Sequence, residues 1–165
     1  MRKRFEQQLS IGIVPINEVS FNEKSRHELK DLLKGLQHIF TTPSINEEVF
    51  KLLESKILSG KKKTGRNGMS LWEILVLSTV RLGLDADYDE LLDLANNHIR
   101  LRQVMGVNTS GFIAWEVYQL QTLKDNIGLL DVETINSINE IVVGAGHSIV
   151  KKKRTKAQKV NCLWR

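Results

Sequence analysis

Three things are scarce in this 165-residue chain: cysteine, with one copy, proline, with two, and uninterrupted apolar sequence. Cys162 alone can neither close an intramolecular disulfide nor build a cysteine-based zinc site within one chain, which fits a reducing, cytoplasmic setting. No run approaches the ~18 apolar residues that suggest a membrane span. Met1-Arg2-Lys3-Arg4 is a basic tip with no apolar h-region behind it. Neither secretion nor a membrane partner is expected.

Recognisable ligand patterns are also lacking. His27, His38, His98 and His147 are scattered, and none stands at ligand spacing from another histidine or from Cys162. The acidic group Asp85, Asp87, Asp89, Glu90 and Asp93 lacks the glycine and terminal glutamate of an EF-hand loop, so it reads as capping and solvation of a helix start. The run Gly60-Lys61-Lys62-Lys63-Thr64-Gly65-Arg66-Asn67-Gly68 lacks the glycine-then-Lys-Ser/Thr order of a phosphate loop and follows no strand. No metal site and no cofactor are expected.

What is present is an ordinary globular composition, 41% apolar and 26% charged, with its charge unevenly placed. Of 24 basic residues, 14 fall in three acid-free clusters: Arg2 to Arg4, Lys61 to Arg66, and Lys151 to Arg165. The other ten face all 19 acidic residues, a balance of −9 for the helical body. A chain polarised in this way suits contact with a polyanion.

Apolar spacing predicts an all-α fold, a multi-helix bundle whose second half resembles a helix-turn-helix, followed by a basic tail whose composition allows disorder. Residues 1–20 read as an extended basic arm in which Ile11 to Val19, with Pro15, lies on the body. Residues 21–59 read as a helical hairpin. Its first helix runs from about Phe21 to Phe40 behind a Ser20/Glu23 capping box, and the second follows a Ser44/Glu47 box. Residues 60–69 form a basic, glycine-rich linker that divides the body.

Residues 70–147 read as the helix-turn-helix-like domain. A third capping box, Ser70/Glu73, opens an apolar helix that stops at Gly83. Asp87 and Glu90 open the next, a short helix with Ile99, Leu101, Val104 and Met105 ends at Gly106, Trp115 to Ile127 follows, and Asp131 caps the last. Trp72 and Trp115 read as core rather than as base-stacking platforms. Residues 148–165 are the basic tail.

The stretch Gly65-Arg66-Asn67-Gly68-Met69-Ser70-Leu71-Trp72-Glu73-Ile74-Leu75-Val76-Leu77, with Val80-Arg81-Leu82-Gly83-Leu84 and Asp87-Tyr88-Asp89-Glu90-Leu91, resembles the N-terminal domain of bacterial insertion-sequence transposases of the DDE type. Asn96-Asn97-His98, Leu101-Arg102-Gln103, Tyr118 to Asn126 and Ile138-Asn139-Glu140-Ile141-Val142-Val143 continue the likeness in order. In that family a ribonuclease-H-like catalytic domain follows and uses Mg2+. By the family pattern its first catalytic aspartate falls near Cys162, where the sequence gives Leu163-Trp164-Arg165. The resemblance thus implies a product truncated before catalysis, nucleoid-associated, without enzymatic activity and without its own metal.

The residues expected to touch double-stranded DNA are Lys61, Lys62, Lys63 and Arg66 in the linker and Lys151, Lys152, Lys153 and Arg154 in the tail, through phosphates. Arg100, Arg102 and Gln103 on the short helix are expected at base edges, Arg suiting guanine and Gln adenine. The DNA implied is the transposon's terminal repeats. The alternative is a helical oligomerisation or interaction module, a homo-oligomer or an inhibitor bound to full-length transposase.

Overall fold

The computed structural model describes residues 2–5, 13–59, 68–107 and 117–144, and every regular element among them is helical. In chain order these are a 3-10 turn at Ile16–Glu18, then α1 (Glu28–Thr41), α2 (Pro43–Ile57), α3 (Leu71–Leu84), α4 (Tyr88–Asn97), α5 (Ile99–Val104), α6 (Leu120–Ile127) and α7 over residues 132–144. The all-α expectation is met.

Helix α3 is central because its sequence leaves it almost no polar face. Leu71, Trp72, Ile74, Leu75, Val76, Leu77 and Val80 are each 0% exposed. Around it pack α1, α2, α4 and α6, and α1 also meets α2 and α5. Residues from both sides of the linker share one hydrophobic core, so the basic segment does not divide the body into two cores. Met69, assigned above to the linker, is buried in that core.

The first turn of α3 shows how the chain disposes of the amide groups that a helix N-terminus leaves without intrahelical partners. Ser70 and Glu73 form the expected capping box: Ser70 Oγ accepts from Glu73 N at 3.2 Å, and Glu73 Oε2 accepts from Ser70 N at 2.8 Å. The two amides left over are met from far away in sequence. Leu71 N donates to Lys3 O at 3.0 Å and Trp72 N to Arg4 O at 3.4 Å.

The arm is therefore a strap. Arg4 reaches two carboxylates of α2, Glu54 at 2.6 Å and Glu47 at 2.7 Å, while Arg2 Nη2 donates to Asn126 Oδ1 of α6 at 2.6 Å. Phe5 stacks edge-on against Phe40, with centroids 5.8 Å apart, and Phe40 and Phe50 flank the buried Trp72. Arg4 holds both carboxyls below the usual range, and its own guanidinium is raised in return.

Several expected boundaries move, each for a local reason. Helix α1 begins at Glu28, behind His27, and not near Phe21. Phe21 is the only apolar residue from Ser20 to Glu28, and the Asn22 side chain bonds its own backbone at Lys24 N, 3.0 Å away, in competition with a helix. Glu23 instead pairs with Lys34 at 2.6 Å. In α2, Pro43 occupies the first turn, so the helix starts behind Thr42, and the Ser44/Glu47 box does not form.

Gly83 lies inside α3 rather than ending it. A Cβ there would stand 2.6 Å from Leu32 Cδ1, so the glycine lets α1 and α3 approach closely. The helix ends at Asp85, in the left-handed region at φ 52°, one of the few non-glycine residue types that adopt it readily. Within the Ile11 to Val19 segment, Ile16–Glu18 is a 3-10 turn, pinned by Gln37 Nε2, which donates to Ile16 O at 2.7 Å and Val19 O at 2.9 Å. Asp87 and Asp131 cap α4 and α7 as expected.

Candidate nucleic-acid interface

Basic side chains of the helical body are largely engaged within it. Besides Arg2 and Arg4, Lys30 Nζ donates to Ser25 O at 2.6 Å, Lys34 pairs with Glu23, and the Arg81 guanidinium lies 4.4 Å from the centroid of Tyr88. The arm's arginines, counted above among the clusters suited to a polyanion, hold the fold together instead. Lys61, Lys62, Lys63, Arg66, Lys151, Lys152, Lys153 and Arg154 lie outside the described residues.

Helix α5 separates the three residues expected at base edges. Leu101 through Met105 are all buried, because this six-residue helix is enclosed by α1 and α4. Arg102 is 6% exposed and its Nη1 donates to Asn96 O at 2.8 Å. Gln103 is 8% exposed and its Oε1 accepts from Arg100 Nη1 at 2.9 Å. Base-edge contacts by Arg102 and Gln103 are thus corrected to interior structural roles. Arg100 alone of the three is exposed, and Ile99 stands beside it at 60% exposure.

Arg100 lines a cleft of about 220 Å³ between α5 and the start of α1. The apolar wall is Phe21, Leu29 and Leu33, and the polar wall carries His27, Lys30, His98 and Arg100, with no carboxylate among the lining residues. Both histidines serve as helix N-caps. His27 Nδ1 accepts from Leu29 N at 3.1 Å, and His98 Nδ1 accepts from Leu101 N at 3.1 Å.

An Nδ1 that accepts leaves the proton of a neutral imidazole on Nε2. Each ring thus keeps a donor besides its cap. Burial holds the His98 imidazole below its ordinary range, and the charges of His27 and Arg100 push it the same way. The cleft is therefore rich in donors and lined by two cations, Arg100 and Lys30, the latter paired with Asp31 at 3.7 Å. Sequence reasoning missed it, since neither histidine has a partner at a recognisable spacing.

The interior polar groups are structural. Tyr118 Oη donates to Glu73 Oε1 at 2.6 Å, and burial, then the Glu73 charge, raises the phenol well above its usual value. Trp72 Nε1 donates to Val104 O at 2.8 Å, which fits the expectation of a core tryptophan. Among the described residues, no group of three or more His, Cys, Asp or Glu side chains is placed to hold a metal, and no helix is long and apolar enough to cross a membrane. No protein-family model, no curated protein and no solved structure matches this chain.

Proposed function

We propose that this chain is a helical DNA-binding domain of the insertion-sequence transposase type, one that holds transposon-end DNA mainly through its phosphates. The observation that carries this is the segregation of charge. With the arm's arginines engaged internally, 11 of the 24 basic residues remain in the acid-free segments Lys61 to Arg66 and Lys151 to Arg165. Lysines and arginines set apart from acids release condensed counterions when they meet DNA.

In this reading α4 and α5, joined at His98, form the corner of a helix-turn-helix-like unit, with the outer side of α5 toward DNA. Arg100 is its exposed cation. Readout by the buried Arg102 and Gln103 forms no part of it. Recognition then rests on phosphate contacts that fix position more than sequence.

A second reading, a helical interaction module, draws on the apolar side chains left at the surface. Val132 is 58% exposed, Val143 55% and Val117 47%. Such a module would self-associate with little regard to salt.

Fluorescence anisotropy of a labelled duplex, titrated over a salt series, separates the two. The DNA-binding reading expects affinity to fall steeply and linearly on a log–log plot. Absence of binding at low salt, with concentration-dependent self-association, would establish the interaction module in its place.

A further inference from the structure

The cleft between α1 and α5 has the chemistry of a small anion site, and its size limits what enters. At about 220 Å³ it falls below the ~300 Å³ at which pockets begin to enclose a whole drug-sized ligand. It holds a group, not a cofactor. Four nitrogen-bearing side chains, His27, Lys30, His98 and Arg100, converge on it from two helices and the segment before α1.

Two helix amides near this cleft are already engaged. Leu29 N and Leu101 N are taken by the histidine rings, so recognition falls to side chains: two imidazole Nε2–H groups and the Arg100 guanidinium. Lys30 spends its ammonium on Ser25 O and Glu23 O and pairs with Asp31 at 3.7 Å, so Arg100 is the cation left to face an anion. The opposite wall of Phe21, Leu29 and Leu33 supplies apolar contact and lowers the local dielectric, which strengthens a charge-assisted hydrogen bond.

We propose that this cleft seats one phosphodiester group of a nucleic-acid backbone, with Arg100, His27 and His98 as its donors. The proposal rests on the DNA-binding reading above and gives it a location. A phosphodiester fits better than a carboxylate ligand because its oxygens radiate toward several donors at once, and its flanking sugars offer apolar surface to Phe21. No carboxylate lines the cleft, and the acid beside it, Asp31, pairs with Lys30 rather than with Arg100.

Two variants and one probe test it. Arg100→Ala, on an exposed side chain, is expected to weaken duplex binding about tenfold and to lower the salt slope by about one. Arg100→Lys should recover part of the loss. His27→Asn keeps a good N-cap while removing the Nε2–H donor, and is expected to cost about fivefold in affinity with an unchanged melting temperature. Should Arg100→Ala fail to fold, His27→Asn decides.

Inorganic phosphate, titrated into the free protein, should shift the ring resonances of His27 and His98 saturably. If the chain binds duplex DNA but both variants bind as tightly as the parent and phosphate leaves the rings unmoved, the cleft assignment falls and DNA binding stands. If phosphate moves the rings but duplex DNA does not bind at low salt, the polynucleotide assignment falls together with the proposed function.

Discussion

The side-chain amide of Asn96 engages both backbone hydrogen-bonding groups of Tyr118. Asn96 Nδ2 donates to Tyr118 O at 3.0 Å, and Asn96 Oδ1 accepts from Tyr118 N at 3.0 Å. One side chain thereby substitutes for a strand neighbour, in a place where both residues are buried. The pairing keeps residues 117–119 out of the following helix, which starts at Leu120 rather than near Trp115. It also sets the Tyr118 phenol against Glu73 at the first turn of α3.

Asn96→Ala leaves a buried N–H and a buried C=O of Tyr118 without partners. At ~1–3 kcal/mol for each orphaned group, partly relieved by local rearrangement, a loss of about 2–4 kcal/mol is expected in chemical denaturation. A loss under about 0.5 kcal/mol would show that water replaces the amide.

Gly106 and Phe5 make a coupled pair across 101 positions of sequence. Gly106 sits at φ +72°, and a Cβ on it would clash with the Phe5 ring. Gly106→Ala therefore combines backbone strain of ~1–2 kcal/mol with a steric clash. In a Phe5→Ala background the clash is gone and only the strain remains, so a double-mutant cycle should show the second cost smaller by at least ~1 kcal/mol. Additive costs would mean that the strap is detached in solution.

His98 ties stability to pH. Its ring titrates below the ordinary 6.5, through burial first and the charges of His27 and Arg100 next. Between the two values the unfolded chain binds more protons than the folded one, so stability falls as pH drops below about 6.5 and levels off under the folded value. Protonation also converts Nδ1 from acceptor to donor and removes the cap on Leu101 N. His98→Asn caps without titrating, so its melting temperature should fall less than the parent's from pH 7 to 5. Parallel curves would contradict this.

Arg102 is expected to affect folding before binding. Its guanidinium is buried against Asn96 O, so Arg102→Met should lower stability by about 1–3 kcal/mol with no DNA present. A variant of unchanged stability that loses DNA affinity would return Arg102 to the interface.

Legibility in the sequence followed the range of the interactions. Ser70/Glu73 was readable because both halves of the box lie within one turn and Leu71 onward supplies a strong apolar run. Ser20/Glu23 and Ser44/Glu47 carry the same letters, but Asn22 and Pro43 redirect the backbone beside them. The strap from Lys3 and Arg4 to α3, the Asn96–Tyr118 pairing and the two-histidine cleft span 22 to 71 positions, and no local pattern announces them. In α5, four consecutive residues, Leu101 to Val104, are buried, so helical periodicity could not tell which side of Arg100, Arg102 and Gln103 faced out.

In the proposed function, DNA is held by basic segments set apart from the acidic helical body. The most direct test compares the parent with the combined variant Lys61→Gln, Lys62→Gln, Lys63→Gln and Arg66→Gln in duplex binding across a salt series. The variant should keep the parent's melting temperature, bind more weakly at every salt concentration, and show a log–log slope shallower by ~0.9 for each phosphate contact removed. An unchanged slope with unchanged affinity would contradict a phosphate-binding role for this segment.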